Sequence, residues 1–261
     1  MDLEFYKYHG AGNDFVIFDN RDKIFPEDNR IERIQNICKR HFGVGSDGLI
    51  LIESDPNYDF YMEFYNPDGS QSFCGNGSRC AVMFAYHMGI VAENCSFNSI
   101  HGINHAVVVD KENISLRMFD VDGIEKGLDH YYLDTGSPHY NIYVQDVSQV
   151  DLIPFARSIR YNDRFKEIGT NVNLIQRVGE RSIKVRTYER GVEDETLSCG
   201  TGVTACAITE LVSSGFSSGK VNIETLGGQL SVEVKSIVDQ NVSGVTLIGP
   251  AVFVFKGEVN V

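Results

Sequence analysis

Basic residues are in short supply. The chain has 261 residues and carries 23 Lys and Arg against 36 Asp and Glu, a formal net charge of −13. A nucleic-acid binder draws affinity from a basic face, so this balance argues against one. Long apolar runs are missing too. None approaches the roughly 18 residues that a membrane helix needs. The opening Met1-Asp2-Leu3-Glu4-Phe5-Tyr6-Lys7-Tyr8 alternates polar and apolar residues, so no signal peptide is expected and the protein is expected to be cytoplasmic. The six cysteines contain no Cys-x-x-Cys pair, which argues against zinc. A disulfide framework belongs to small secreted chains, and a chain of this length buries enough surface without staples, so the thiols are expected to be reduced. With 42% hydrophobic and 23% charged residues, the composition excludes disorder, collagen and coiled coil.

What is present is a series of short alternating runs. They predict strands at 3–8, 15–19, 48–53, 60–65, 105–110, 114–119, 130–134, 140–145, 172–177, 182–189, 220–225, 229–235, 242–248 and 252–256. Helices are expected at 28–41, 76–88, 150–160 and 201–213. Two of these carry a single Asp, Glu, Lys or Arg each, Arg79 in 76–88 and Glu210 in 201–213. A helix apolar nearly all round is buried on all sides, and numerous strands with half-polar faces can wrap around it.

The chain also repeats itself. Cys74-Gly75-Asn76-Gly77 opens the first apolar helix and Cys199-Gly200-Thr201-Gly202 the second, an offset of 199 − 74 = 125. The same offset sets Asp14-Phe15 on His139-Tyr140, and one of 124 sets Gly45-Ser46-Asp47 on Gly169-Thr170-Asn171. Tyr65 and Tyr188 each precede a polar loop leading to the cysteine motif. These landmarks, in the same order, imply duplication into two similar domains. The boundary is expected at 115–125, giving a first domain 1–117, joined by the last strand 251–261, and a second domain 118–250.

Cys-Gly-x-Gly at a helix start has definite chemistry. The glycines let a ligand approach the backbone. The unpaired N–H groups and the helix dipole attract an anion and favour a thiolate. Two such elements, one per domain facing a common cleft, suit inversion of a stereocentre. One thiolate removes the proton next to a carboxylate, and the opposing thiol returns one to the other face. This scheme needs no cofactor and no metal. A redox disulfide between Cys74 and Cys199 is the alternative reading. Cys80 and Cys206, inside the helices, are expected to be packing residues. Gly43-Val44-Gly45-Ser46-Asp47-Gly48 matches a dinucleotide fingerprint, but a helix precedes it and a strand follows, the reverse of the required context.

In these segments the sequence resembles the diaminopimelate epimerases. The resemblance rests on His9-Gly-Ala-Gly-Asn13-Asp14-Phe15, Tyr65-Asn66-Pro-Asp-Gly-Ser70, Cys74-Gly-Asn-Gly-Ser-Arg-Cys80, Gly169-Thr-Asn171-Val-Asn173, and Tyr188-Glu189-Arg190-Gly191 followed by Cys199-Gly-Thr-Gly202. It implies an α+β fold of two pseudo-symmetric domains, each an antiparallel sheet rolled around a central helix, with the active site between them. It implies interconversion of LL- and meso-2,6-diaminopimelate in lysine and peptidoglycan biosynthesis, without cofactor, by a homodimer. By resemblance, Cys74 and Cys199 are the acid/base thiols, His139 modulates thiol ionisation, and Glu189 contacts the substrate amine and tunes a thiol. Gly75, Asn76, Gly200 and Thr201 donate to the reacting carboxylate, and Asn13, Asn66, Asn171 and Arg190 contact substrate. Simpler roles stand beside these. Asn66 before Pro67 suits a turn, Asn13 and Asn171 suit backbone capping, Arg190 suits a surface charge, and His139 suits a satisfied loop position. Two positions depart from the family pattern. Ser137-Pro138-His139 stands where many members have Asn-Pro-His, and Gly48 where some have Gln. Related racemases acting on proline, hydroxyproline or histidine are a second reading, and a thiol-disulfide sensor or small-ligand binder a third.

Overall fold

A computed structural model describes residues 1–261. In chain order the elements are β1 (Asp2–Gly10), β2 (Asn13–Asp19), α1 (Arg30–Cys38), β3 (Gly48–Glu53), β4 (Tyr61–Tyr65), α2 (Gly75–His87), β5 (Asn94–Ser99), β6 (Gly102–Val108) and β7 (Asn113–Arg117). Then follow β8 (Val121–Asp122), β9 (Glu125–Lys126), β10 (His130–Asp134), β11 (Pro138–Tyr143), α3 (Leu152–Arg160), β12 (Asn171–Gly179), β13 (Ser182–Glu189), β14 (Asp194–Thr196) and α4 (Gly200–Ser213). The chain ends with β15 (Gly219–Thr225), β16 (Gly228–Val238), β17 (Asn241–Pro250) and β18 (Val252–Asn260). No helix is long and apolar enough to cross a membrane.

The chain divides into two compact units, Met1–Leu116 with Gly249–Val261, and Arg117–Ile248. In the first unit, β1 pairs antiparallel with β18 and β2, β2 parallel with β3, β3 antiparallel with β4, β4 parallel with β5, and β5–β6–β7 run antiparallel. In the second unit, β10 pairs antiparallel with β9 and β11, β11 parallel with β12, β12 antiparallel with β13, β13 parallel with β15, and β15–β16–β17 run antiparallel. The order of pairings is the same in both, which is the pseudo-symmetry. The parallel pairs occur where a helix intervenes between the two strands, because a parallel return needs a crossover rather than a tight turn.

Each unit has one helix filling its sheet and one covering the outside. β2 and β3 are near-continuous apolar runs, buried on both faces as such runs must be. Val16, Phe18, Leu49, Leu51 and Tyr65 form a cluster with Ile34 and Ile37 of α1. Phe15, Ile17 and Ile50 take the opposite face, toward α2, whose residues Gly75 to Ala85 are all buried. In the second unit Val172, Leu174 and Tyr188 cluster with Leu152 and Ala156 of α3, and α4 fills the other side. α2 and α4 both end at glycines in the left-handed region, Gly89 and Gly215, which a side chain would strain.

The ladders correct two expected correspondences, each by one residue. Phe15 pairs with Gly48, Leu49 with Tyr65, and these match His139 with Asn171, and Val172 with Tyr188. Phe15, not Asp14, therefore repeats as His139, and Gly48 repeats as Asn171. Side chains alternate faces with period two, so a one-residue slip changes which side chain enters the interior. The Tyr65 and Tyr188 correspondence agrees with the ladders.

Candidate active site

In the first unit Cys74 is the N-cap of α2, with extended backbone (φ −136°, ψ 106°), and its Sγ accepts from Gly77 N–H at 3.3 Å. Gly77 packs against the cysteine, since a Cβ there would lie 3.5 Å from Cys74 Sγ. Asn13, at the start of β2, brings its Oδ1 to 3.7 Å from that sulfur and accepts from Asn76 Nδ2 at 3.2 Å. Its Nδ2 donates to Asp47 at 2.8 Å, and Asp47 also accepts from Asp14 N–H. Lys7 and Arg40 neutralise this carboxylate pair through Asp14, and Arg40 also reaches Asp47. Arg40 and Lys7 hold the Asp14 carboxyl below the usual carboxylate range against its own burial.

Arg79, one turn into α2, is wholly buried and donates to Asn76 Oδ1 at 2.9 Å, Pro250 O at 3.2 Å and Gly75 O at 3.4 Å. All three acceptors are neutral. Burial pulls its pKa down while the neighbouring thiols favour its charge. Arg79 and Asp47 brace the residues around Cys74 through Asn76 and Asn13, a role that the sequence did not assign to either. Arg79 was legible only as the one charge on an apolar helix.

In the second unit Cys199 is the N-cap of α4 (φ −112°, ψ 114°), and its sulfur lies 3.4 Å from Thr201 Oγ1. Thr135 donates to Thr201 O at 2.9 Å, tying the helix start to the end of β10. Gly200 and Thr201 begin the helix as Gly75 and Asn76 do in the first unit, and Val203 N–H donates to Cys199 O at 2.9 Å as Ser78 N–H does to Cys74 O at 2.8 Å. The N–H groups of a first turn have no intrahelical acceptor, so both starts are donors for an anion.

His139 on β11 is wholly buried, and Asn173 Nδ2 lies 3.1 Å from its Nδ1. Burial, with Arg190 adding repulsion, brings its pKa from an ordinary 6.5 to about 3, so the imidazole is neutral. Asn171 donates to Ser137 Oγ at 2.8 Å and Pro138 O at 2.9 Å, and accepts from Arg190 N–H at 2.8 Å. The Ser137 hydroxyl oxygen is thus an acceptor for Asn171. The Arg190 side chain donates to Ile168 O at 2.9 Å and lies over Gly169, where a Cβ would come within 2.5 Å of it. Glu189 ends β13, and its carbonyl accepts from Glu193 N–H at 2.7 Å. Asn171, Arg190, Ser137 and His139 are therefore gathered along the ends of β11, β12 and β13.

Asn66 lies elsewhere in character. Its amide donates to Ser70 and Ser72, and its backbone closes the same turn, so the structure gives it the local role that Asn before Pro suits. Gly48 leaves no room for a side chain, because a Cβ would sit 2.6 Å from Phe64 and 2.9 Å from Tyr65 O.

The family model for diaminopimelate epimerase matches residues 5–118 and 131–254. The chain is 42% identical over 255 residues to the diaminopimelate epimerase of Flavobacterium psychrophilum, covering 97% of this chain and 99% of that one. It is 40% identical over 279 residues to that of Aquifex aeolicus, covering 99% and 98%. Among solved structures, a Bacillus anthracis phenazine biosynthesis protein of the PhzF family superposes with a TM-score of 0.76 at 16% identity, covering all of both chains. A hydroxyproline epimerase from Agrobacterium vitis does so with 0.71 at 14% identity, covering 99% of this chain and 92% of that one. These two share the fold. Matches spanning both units at such identities settle the narrower relation: the chain belongs to the diaminopimelate epimerase family.

Proposed function

We propose that this protein interconverts LL- and meso-2,6-diaminopimelate by a two-thiol mechanism without cofactor or metal, as a cytoplasmic homodimer serving lysine and peptidoglycan biosynthesis. One observation carries the reading. Each of two matched units caps its buried, nearly uncharged helix with a cysteine, Cys74 or Cys199.

The reading assigns both thiols to one substrate carbon. One thiolate takes the α-proton, and the electron pair left on carbon delocalises into the α-carboxylate. The other thiol gives its proton to the opposite face, leaving a thiolate ready for the reverse direction. Acid–base catalysis supplies typically about 10²–10⁴-fold, so the growing carboxylate charge needs further stabilisation. N–H groups at Gly75, Asn76, Gly200 and Thr201 are suited to supply it, each helix start adding about 0.3–2 kcal/mol. Glu189 is assigned to the substrate amine, and Arg190, Asn13, Asn66 and Asn171 to substrate positioning. Arg190 and Asn171 support this as one hydrogen-bonded pair. Asn66 supports it least, being engaged in its own turn.

Proton NMR with LL-diaminopimelate in D₂O, with reductant and chelator, tests the reading. Loss of the α-proton signal with appearance of the meso isomer is expected, and Cys74→Ala or Cys199→Ala is expected to abolish it while the fold survives. No exchange with fully reduced thiols would reject this substrate. Full turnover in either variant would reject the two-thiol mechanism.

A further inference from the structure

The interior of the second unit contains a polar chain that the fold does not require. Cys206 of α4 points its sulfur at Asn141 Oδ1 at 3.8 Å, Asn173 Nδ2 lies 2.6 Å from the same oxygen, and Asn173 Nδ2 lies 3.1 Å from His139 Nδ1. Thr187 donates to Asn173 Oδ1 at 2.8 Å, and Asn141 Nδ2 donates to Thr209 at 2.8 Å. All six side chains are buried. In the first unit the matching positions are Phe15, Ile17, Ile50, Phe64, Ala81 and Phe84, also buried and all hydrocarbon. The helix starts agree with this matching. A Cβ on Gly77 would meet Ile50 at 3.5 Å, and one on Gly202 would meet Asn173 Oδ1 at 3.0 Å. One architecture therefore accepts either filling, and burying amides is costlier than burying hydrocarbon.

The direction of the chain follows from its donors. The Cys206 thiol is buried and its pKa is raised well above the ordinary value, so it stays protonated and donates. That makes its partner atom on Asn141 the oxygen. An oxygen there requires Asn173 to present its NH₂, and the second N–H of that group then falls to His139 Nδ1, which can only accept. The imidazole proton is left on Nε2. That atom is buried and has no hydrogen-bond partner. Such a donor costs about 1–3 kcal/mol until something accepts from it.

We infer that Asn173 is a positioning residue: by donating to His139 Nδ1 it holds the imidazole as the neutral Nε2–H tautomer, so that His139 meets an anion at the active site as a hydrogen-bond donor and not as a base. The catalytic part of this inference rests on the function proposed above, and the tautomer itself does not. The Asn173 amide also lies beside the start of α4, where a Cβ on Gly202 would come 3.0 Å from its Oδ1.

Long-range ¹H–¹⁵N correlation of ¹⁵N-histidine-labelled protein at neutral pH reads the tautomer directly, with Cys206→Ala and His139→Gln assigning the signal. The native protein is expected to show His139 protonated on Nε2 alone. Asn173→Asp offers only acceptors and is expected to move the proton onto Nδ1. Asn173→Leu, close in volume and apolar like Ile50, is expected to fold and to lose the fixed tautomer. In both variants kcat for diaminopimelate is expected to fall on the order of 10²-fold with KM within about twofold, the pattern of a misoriented acid–base group. An Nδ1–H imidazole in the native protein would overturn the inference, as would Asn173→Leu with unchanged tautomer and kcat. A protein that shows the Nε2–H tautomer but does not turn over diaminopimelate would overturn the proposed function and leave the tautomer assignment standing.

Discussion

At the scale of single residues, the two units differ most in what fills their interiors. His139 stands where the first unit has Phe15, and burying it has a thermodynamic consequence. Its pKa is about 3 in the folded protein, against an ordinary 6.5. Between those values the unfolded chain binds a proton that the folded one refuses. Stability is therefore full above pH 6.5 and is lost as pH falls toward 3, at a rate approaching roughly 1.4 kcal/mol per pH unit. The lowered pKa of His87, also caused by burial, acts in the same sense. Comparison with His139→Gln isolates the one residue. Urea midpoints between pH 7 and 5, above the range where most carboxylates titrate, are expected to fall more steeply in the native protein than in the variant. Parallel curves would show that His139 is not kept neutral by the fold.

At the scale of elements, much was legible and the misses have physical causes. Helices expected at 76–88 and 201–213 form as Gly75–His87 and Gly200–Ser213, because cysteine caps and terminal glycines bracket an apolar run. The expected 28–41 shortens to Arg30–Cys38, where left-handed Asn29 and extended Lys39 bound it. β5 is not legible in the sequence, since Asn94-Cys95-Ser96-Phe97-Asn98-Ser99 buries only Cys95 and Phe97 and the rest are turn-forming types. The cysteine motifs announced themselves as contiguous strings. The grouping of Asn141, Asn173 and Thr187 could not, because they meet only through strand register, and Thr209 joins them only through the packing of α4 on those strands, neither of which local sequence states. Register also explains Gly48. Its partner strand sends Phe64 across the space that a side chain would need. Gly48→Ala is expected to cost about 1–3 kcal/mol, the usual penalty of forcing atoms into a filled core, read as a lower urea midpoint. An unchanged midpoint would mean that β3 and β4 separate more easily than their packing indicates.

At the scale of the whole molecule, the six cysteines fall into two classes, and a thiol titration reads the difference. Cys199, also buried, opens α4 as Cys74 opens α2, whereas Cys38, Cys80, Cys95 and Cys206 are free and buried outside the motif positions. Burial raises the pKa of each of the latter, that of Cys95 to about 12. A thiol that is both inaccessible and protonated reacts only when the chain opens around it. Cys74 is half-buried and sits at a helix start, where N–H donors favour an anionic sulfur. Iodoacetamide applied to the reduced native protein is therefore expected to label Cys74 first. Peptide mapping is expected to show Cys38, Cys80, Cys95 and Cys206 lagging by a factor on the order of 10² or more, because only thiolate in an open state reacts. Unfolding in denaturant without added reductant is expected to release all six. Fewer than six would reveal a disulfide and revive the redox reading of the paired motifs. Equal labelling rates across the native chain would mean that neither burial nor helix position separates the motif thiols from the rest, and the acid–base assignment would lose its physical basis.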